Sequence, residues 1–214
     1  MGSVSASGHQ APSGPAPPGA RDRLVRALEQ SIEARGYRQT TVADVVRLGR
    51  ASRRTFYRVF STKDDVLLAL VEDVNASLIE DLRASVDPSL PWRRQVATSI
   101  RVYFAHVQRW PAVHLCSIRE LPYLGEIAEP VIRRGTDDFV ELISIMTDND
   151  EFRRAGLQPA SRHQALMLQG ALNELVADGL QRSGSVDDVV ELAIAATAAL
   201  LSLEPDAPVS ALSR

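Results

Sequence analysis

Cysteine occurs once in the 214 residues, at Cys116, so no disulfide can close within the chain. That suits a reducing compartment, and the expected location is the cytoplasm. Lysine is equally scarce: of 24 basic residues, only Lys63 is not arginine. No apolar run is long enough to span a bilayer. The longest, 189–203, is interrupted by Glu191 and falls short of the roughly 20 residues a transmembrane helix needs. The N-terminus has no apolar stretch after a charged start, so no secretory signal is read and no membrane partner is expected. Period-two alternation is missing too, which excludes a sheet and leaves an all-α fold.

What is present is unevenly placed. Net charge is −3, which by itself says nothing about nucleic acid. Residues 20–65 hold 11 Arg and Lys against 6 Asp and Glu, or about +5, while residues 66–214 hold 13 against 21, or about −8. A basic N-terminal module on an acidic body points to a polyanion partner for the first part only.

Four stretches follow from composition and periodicity. Residues 1–19 are Gly, Ser, Ala and Pro with almost no large apolar side chains, and are expected to be disordered. Residues 20–65 form one small helical domain, residues 66–203 a larger one, and 204–214 a loose tail. About nine helices are expected. The first covers 21–35, with Leu24, Leu28 and Ile32 on one face and Gly36 as its stop. The second starts at Thr41, where Thr41 and Asp44 make a capping box, and turns Val42, Val45 and Val46 inward. A short third helix covers 52–58. The fourth starts near Ser61, boxed with Asp64, and carries Leu67, Leu70, Val71, Val74 and Leu78. Pro91 opens a fifth helix to about Arg109 with Val96, Ile100, Tyr103, Phe104 and Val107 inward. Pro111 and Pro122 bracket the sixth. The seventh spans about 126–147, and TDNDEFRRAGLQP is read as a loop. The eighth covers 160–182, and the ninth, capped by Ser185 and Asp188, runs to 203.

Three helices within the first 60 residues, the last rich in arginine, suggest a helix-turn-helix. A helix that enters the major groove must be apolar behind and polar in front. On the third helix Ala51, Thr55 and Phe56 can face inward while Ser52, Arg53, Arg54 and Tyr57 face outward. The segment GYRQTTVADVVRLGRASRRTFYRVFSTKDDVLLAL resembles the DNA-binding domain of the TetR family of transcriptional regulators. That family's pattern, T-T-V-x-x-I-A-x-x-A-G-V-S-x-x-T-x-Y-x-x-F-x-x-K-x-x-L, is met at Thr40, Thr41, Val42, Val45, Ser52, Thr55, Tyr57, Phe60 and Lys63. It departs at Val46, at the Gly49-Arg50 turn and at Ala51. Val46 and Ala51 are expected to exchange volume across the helix contact. Arg50 stands where a glycine often allows a positive φ, so a strained Arg50 is expected unless Gly49 absorbs the difference.

The resemblance implies roles residue by residue. Thr41 and the start of the second helix touch phosphate. Ser52, Arg53, Arg54 and Thr55 lie along base edges or backbone, and Tyr57 and Lys63 grip phosphate. The plainer alternative for the arginines is a solvated helix face, for Tyr57 simple packing, and for Arg50 and Arg58 solubilising charge. Phe56 and Phe60 read as core.

The same resemblance implies a C-terminal domain with a dimer interface and an effector pocket. The eighth and ninth helices, apolar on more than one side, are expected to pair two copies into a homodimer that meets a palindromic double-stranded operator. The pocket residues expected are Tyr103, His106, Trp110, His114, Tyr123, Phe139, Met146 and Met167, with Glu120 and Asn173 orienting a polar group. Each has ordinary core packing as its alternative. The function implied is a transcriptional regulator, a repressor released by a small-molecule effector. Two other classes stay open. One is a constitutive or architectural DNA-binding protein without a pocket. The other is a small helical enzyme using His106, His114 or Cys116, made remote by the lack of a phosphate loop, metal motif or nucleophile elbow. No catalytic residue, metal or cofactor is expected.

Overall fold

A computed structural model describes residues 19–182 and 186–203. The expected N-terminal disorder before Gly19, the Ser185 cap and the 204–214 tail lie outside the described residues. The described residues are all-helical, with ten α-helices, two 3-10 stretches and no strand. The chain divides into two compact units, Met1–Leu70 and Val71–Arg214.

The first unit begins with α1 (Ala20–Arg35), α2 (Val42–Leu48) and α3 (Arg53–Val59). Leu24 and Leu28 on α1, Val45 on α2 and Phe56 on α3 are completely buried and form its core. Burying a side chain of that size is worth roughly 1.5–3 kcal/mol each. Phe60 is only half-buried, 6.3 Å from the Phe56 ring, and so finishes the core at its edge. Gly36 ends α1 at φ 78, its N–H donating to Ile32 O at 2.8 Å. The chain between α1 and α2 is tied down by two hydroxyls. Thr40 Oγ1 donates to Gly36 O at 2.9 Å and lies 2.8 Å from the buried Ser31 Oγ.

Helix α4 (Lys63–Ser85) starts in the first unit and continues into the second. Its capping box sits one residue later than the sequence suggested. Thr62 and Asp65 exchange the bonds, with Thr62 N donating to Asp65 Oδ2 at 2.8 Å and Asp65 N donating to Thr62 Oγ1 at 3.1 Å. Asp64 is taken by another partner, the Tyr37 hydroxyl.

The second unit adds α5 (Trp92–Arg109), α6 (Pro111–Arg119), α7 (Glu129–Thr147), α8 (Asp150–Arg154), α9 (Arg162–Arg182) and α10 (Val190–Leu201). The 3-10 stretches are Leu121–Ile127 and Asp187–Val189. The core runs from Leu78 and Leu82 on α4 through Val107, Leu142 and Val176 to Ala198 on α10. Helix α8, expected as loop, is only five residues long, too short for periodicity to register. Asn149 caps it, accepting from Glu151 N at 3.1 Å, while its own amide donates to Gln95 Oε1 at 3.0 Å. Gln164 holds the end of α10, donating to Leu200 O at 3.0 Å and Leu203 O at 3.2 Å. No helix among the described residues is long and apolar enough to cross a membrane.

Candidate nucleic-acid interface and ligand cavity

The first site is the α2–turn–α3 segment. Thr41 caps α2: its Oγ1 accepts from Asp44 N at 3.2 Å and donates to Asp44 Oδ2 at 2.7 Å, while Thr41 N donates to the same carboxylate at 3.1 Å. Hydrogen bonds from the Thr41 side chain and backbone, then from Arg47, hold the Asp44 carboxyl down at about 2. The turn between the helices runs from Gly49 to Ser52. A Cβ on Gly49 would sit 3.0 Å from Val45 O and 3.3 Å from Arg23 O, so glycine is needed there for close approach to α1. Gly49 has φ −75 and absorbs no reversal; the left-handed residue is Arg50, at φ 46. Val46 and Ala51 are both half-buried and share a backbone bond, Ala51 N to Val46 O at 3.0 Å.

Ser52 caps α3, its Oγ accepting from Thr55 N at 3.0 Å and lying 2.9 Å from Thr55 Oγ1. The helix it starts, RRTFYRV, has no acidic residue in its first turn. Arg53 and Arg54 are exposed and have no ion-pair partner among the described residues. Tyr57 is exposed as well, its ring edge-on to Phe56 at 5.2 Å. Arg58 is half-buried. The structure thus brings Ser52, Arg53, Arg54, Thr55 and Tyr57 together on one short helix, with Thr41 at the start of the helix before it.

Lys63 is engaged within the unit. Its ammonium donates to Tyr37 O and Thr40 O, each at 3.0 Å, and lies 3.9 Å above the Tyr37 ring. With Asp64 accepting from the Tyr37 hydroxyl, the start of α4 clamps the α1–α2 connection. Any phosphate contact by Lys63 would therefore share the charge with these carbonyls.

The second site is a cavity of about 250 Å³ inside the second unit, walled by α4, α5, α6, α7, α9 and the first 3-10 stretch. Of the ten pocket residues expected from sequence, Tyr103, His114, Phe139 and Asn173 line it. His106 stands behind His114, its Nδ1 3.0 Å from His114 Nε2, and the Trp110 ring lies tilted against His106 at 4.6 Å. The rest do not meet the cavity. Tyr123 is 80% exposed and Met167 60% exposed, each turned to solvent on its helix. Met146 lines a smaller hollow of about 40 Å³ with Phe152 and Leu168. Glu120, the last residue before the 3-10 stretch, is not among the lining.

Sequence reasoning missed Asn75, Gln169, Thr136 and Gly135, all of which line the cavity. A signal existed. Val71, Asn75 and Leu78 follow helical spacing, so Asn75 interrupts a buried stripe; Gln169 and Asn173 are likewise i, i+4 on α9. The lining is held neutral. Burial, then the neighbouring His106, pushes His114 down to about 3; burial also lowers His106 and raises the Tyr103 hydroxyl. Cys116 is buried on α6, and the His114 ring pairs with His106. Among the described residues no group of three or more His, Cys, Asp or Glu could hold a metal ion.

Residues 24–70 match the family model described as bacterial regulatory proteins, tetR family. No curated protein matches in sequence. Among solved structures, the fatty acid degradation regulator FadR from Bacillus halodurans is 18% identical with a TM-score of 0.71, over 88% of this chain and 97% of that one. FadR from Bacillus subtilis, in complex with stearoyl-CoA, is 17% identical with a TM-score of 0.70, over 85% and 97%. SmeT, the repressor of the Stenotrophomonas maltophilia multidrug efflux pump SmeDEF, is 20% identical with a TM-score of 0.63, over 84% and 88%. At these identities the likeness establishes a shared fold.

Proposed function

We propose, from the match of residues 24–70 to the family model of bacterial regulatory proteins, tetR family, that the chain is a homodimeric, sequence-specific repressor released from its operator by a small molecule. The observation that carries the DNA reading is the pair of exposed, unpartnered guanidinium groups of Arg53 and Arg54 at the start of a capped helix. Arginine can donate two hydrogen bonds to guanine O6 and N7, worth roughly 1–3 kcal/mol of discrimination. Thr41 and Tyr57 are at hand for phosphate. Two cations and no acid in a first turn oppose the helix dipole, a cost that a bound polyanion would offset.

Dimer formation is supported by α9 and α10. Met167 and Leu192 are each 60% exposed there, and Gly170, Ala171, Ala195, Ala196 and Ala199 are exposed beside them. Small residues between large apolar ones let two copies of a helix pair approach closely. A two-fold pairing would present two α3 helices to a palindrome, with half-sites roughly 34–36 Å apart or a multiple.

Effector control is supported by the cavity itself and by the FadR structure that holds stearoyl-CoA. It favours an effector-responsive regulator over a constitutive one. Helix α4 begins against the α1–α2 connection and contributes Val71, Asn75 and Leu78 to the cavity wall, which makes it the element through which a ligand would bias DNA affinity.

Selection from a random duplex pool by the full chain tests the proposal. Enrichment of a palindromic sequence, with affinity falling steeply as salt rises, is expected. Recovery of no common sequence would count against it.

A further inference from the structure

Not one Asp, Glu, Lys or Arg lines the second-unit cavity. Its polar groups are the side-chain amides of Asn75, Gln169 and Asn173, the hydroxyls of Tyr103, Ser117 and Thr136, and the ring of His114; the Ser117 hydroxyl already donates to His114 O at 2.9 Å. None of the three amides has an intramolecular partner among the described residues. Each can donate two hydrogen bonds and accept others, so together they form an unused recognition set for an uncharged group that accepts or donates hydrogen bonds.

The arginines that adjoin lining residues in sequence are each paired, Arg133 with Glu129 at 3.5 Å among them. Arg119, one residue after the lining Ile118, donates to both oxygens of Glu174 at 2.8 and 3.1 Å. Arg134, one residue before the lining Gly135, pairs with Glu72 at 3.3 Å. His114 cannot substitute as a cation. Its Nε2 lies 3.0 Å from His106 Nδ1, and His106 Nε2 is buried without a partner, so a charged pair would bury an unpaired N–H donor.

One amide is placed by an absent side chain. Gly135 lies inside α7, where glycine weakens a helix. A Cβ there would stand 2.9 Å from Asn75 Nδ2, so glycine makes room for the Asn75 amide against α7 at the cavity wall.

We propose that this cavity selects an uncharged molecule: an apolar body against Phe139, Leu78 and Leu172, and a carbonyl, amide or hydroxyl group read by Asn75, Gln169 and Asn173. A carboxylate of the same shape is rejected, because an anion taken out of water here meets no counter-charge. The volume, about 250 Å³, lies just under the roughly 300–1,000 Å³ of drug-sized sites, so the ligand is small. The inference rests on reading this cavity as the effector site.

Isothermal titration of the full chain at pH 7.5 with matched neutral and anionic probes tests it: 1-naphthamide against 1-naphthoate, indole-3-acetamide against indole-3-acetate, and nonanamide against nonanoate. At least one amide is expected to bind, with its carboxylate weaker by roughly 100-fold or more. Asn75→Leu and Gly135→Ala should each weaken that amide roughly 10-fold, and Gln169→Arg should move the preference towards the carboxylate. Equal binding of both members of a pair, or silence from all three amides, overturns the proposal. Repeating the titration with the selected duplex present separates the two claims. Amide binding without duplex release would remove the effector role and leave the ligand class standing. Duplex release by a carboxylate alone would keep the effector role and overturn the ligand class.

Discussion

The two units leave opposite kinds of polar group unpaired. In the first, hydroxyls, carboxylates and the lone lysine are engaged inside the domain: Thr41 with Asp44, Ser52 with Thr55, Lys63 with two carbonyls. What remains over is cationic and outward, Arg53 and Arg54. In the second, cations around the cavity are paired, Arg119 with Glu174 and Arg134 with Glu72, and what remains over is neutral and faces a hollow. Surplus charge on a helix suits a polyanion, whose attraction reaches through solvent. Surplus neutral hydrogen-bonding capacity lining a hollow suits a small molecule of defined shape. A partner's class is therefore written in which groups a fold leaves unsatisfied.

The sharpest way to break the contrast is to remove one unit while sparing the other. Phe56→Ala empties the centre of the first unit and should cost about 3–5 kcal/mol. A urea melt of the full chain should then show an early transition, with DNA binding lost and probe binding in the cavity kept. Next in size, Arg53→Ala and Arg54→Ala should each cost about 1–3 kcal/mol of affinity for the selected duplex. Far-UV circular dichroism and melting temperature should not change, since neither side chain packs.

The pH response belongs to the second unit. His114 is held near 3 when folded, against about 6.5 when unfolded, so the unfolded chain binds the proton first. The stability this gives is complete above about pH 6.5 and is lost as pH falls towards 3, at up to about 1.4 kcal/mol per pH unit. Denaturant melts between pH 7 and 5 should show that slope, and His114→Phe should flatten it. The smallest effect sharpens the first unit. Arg50→Gly relieves an exposed arginine held left-handed at φ 46 and should raise stability by about 1 kcal/mol, read as a higher melting temperature.

Much of the fold was legible because its signals are short-range. Leu24, Leu28 and Ile32 sit one turn apart on a single helix, and the Thr41–Asp44 box spans three residues. Arg50 was readable as strained from the turn alone. The Lys63 clamp was not, because its partners Tyr37 and Thr40 lie 26 and 23 residues away. The cavity is harder still. Its wall is drawn from residues between Val71 and Asn173, and being aromatic or histidine does not decide which side of a helix faces it. Tyr123 and Met167 have the right chemistry and point to solvent. Asn75 and Gln169 have a plainer chemistry and the right phase. Polar interruptions of an apolar stripe were the better guide than bulk.

On the proposed function, two copies of α3 read one duplex through Arg53 and Arg54. Methylation interference at guanine N7 on the selected duplex tests it most directly. Two symmetric clusters of sensitive guanines are expected, about 10–10.5 base pairs apart or a multiple, both weakened in Arg53→Ala and Arg54→Ala. Interference spread evenly along the duplex, or a pattern the variants leave intact, would contradict it.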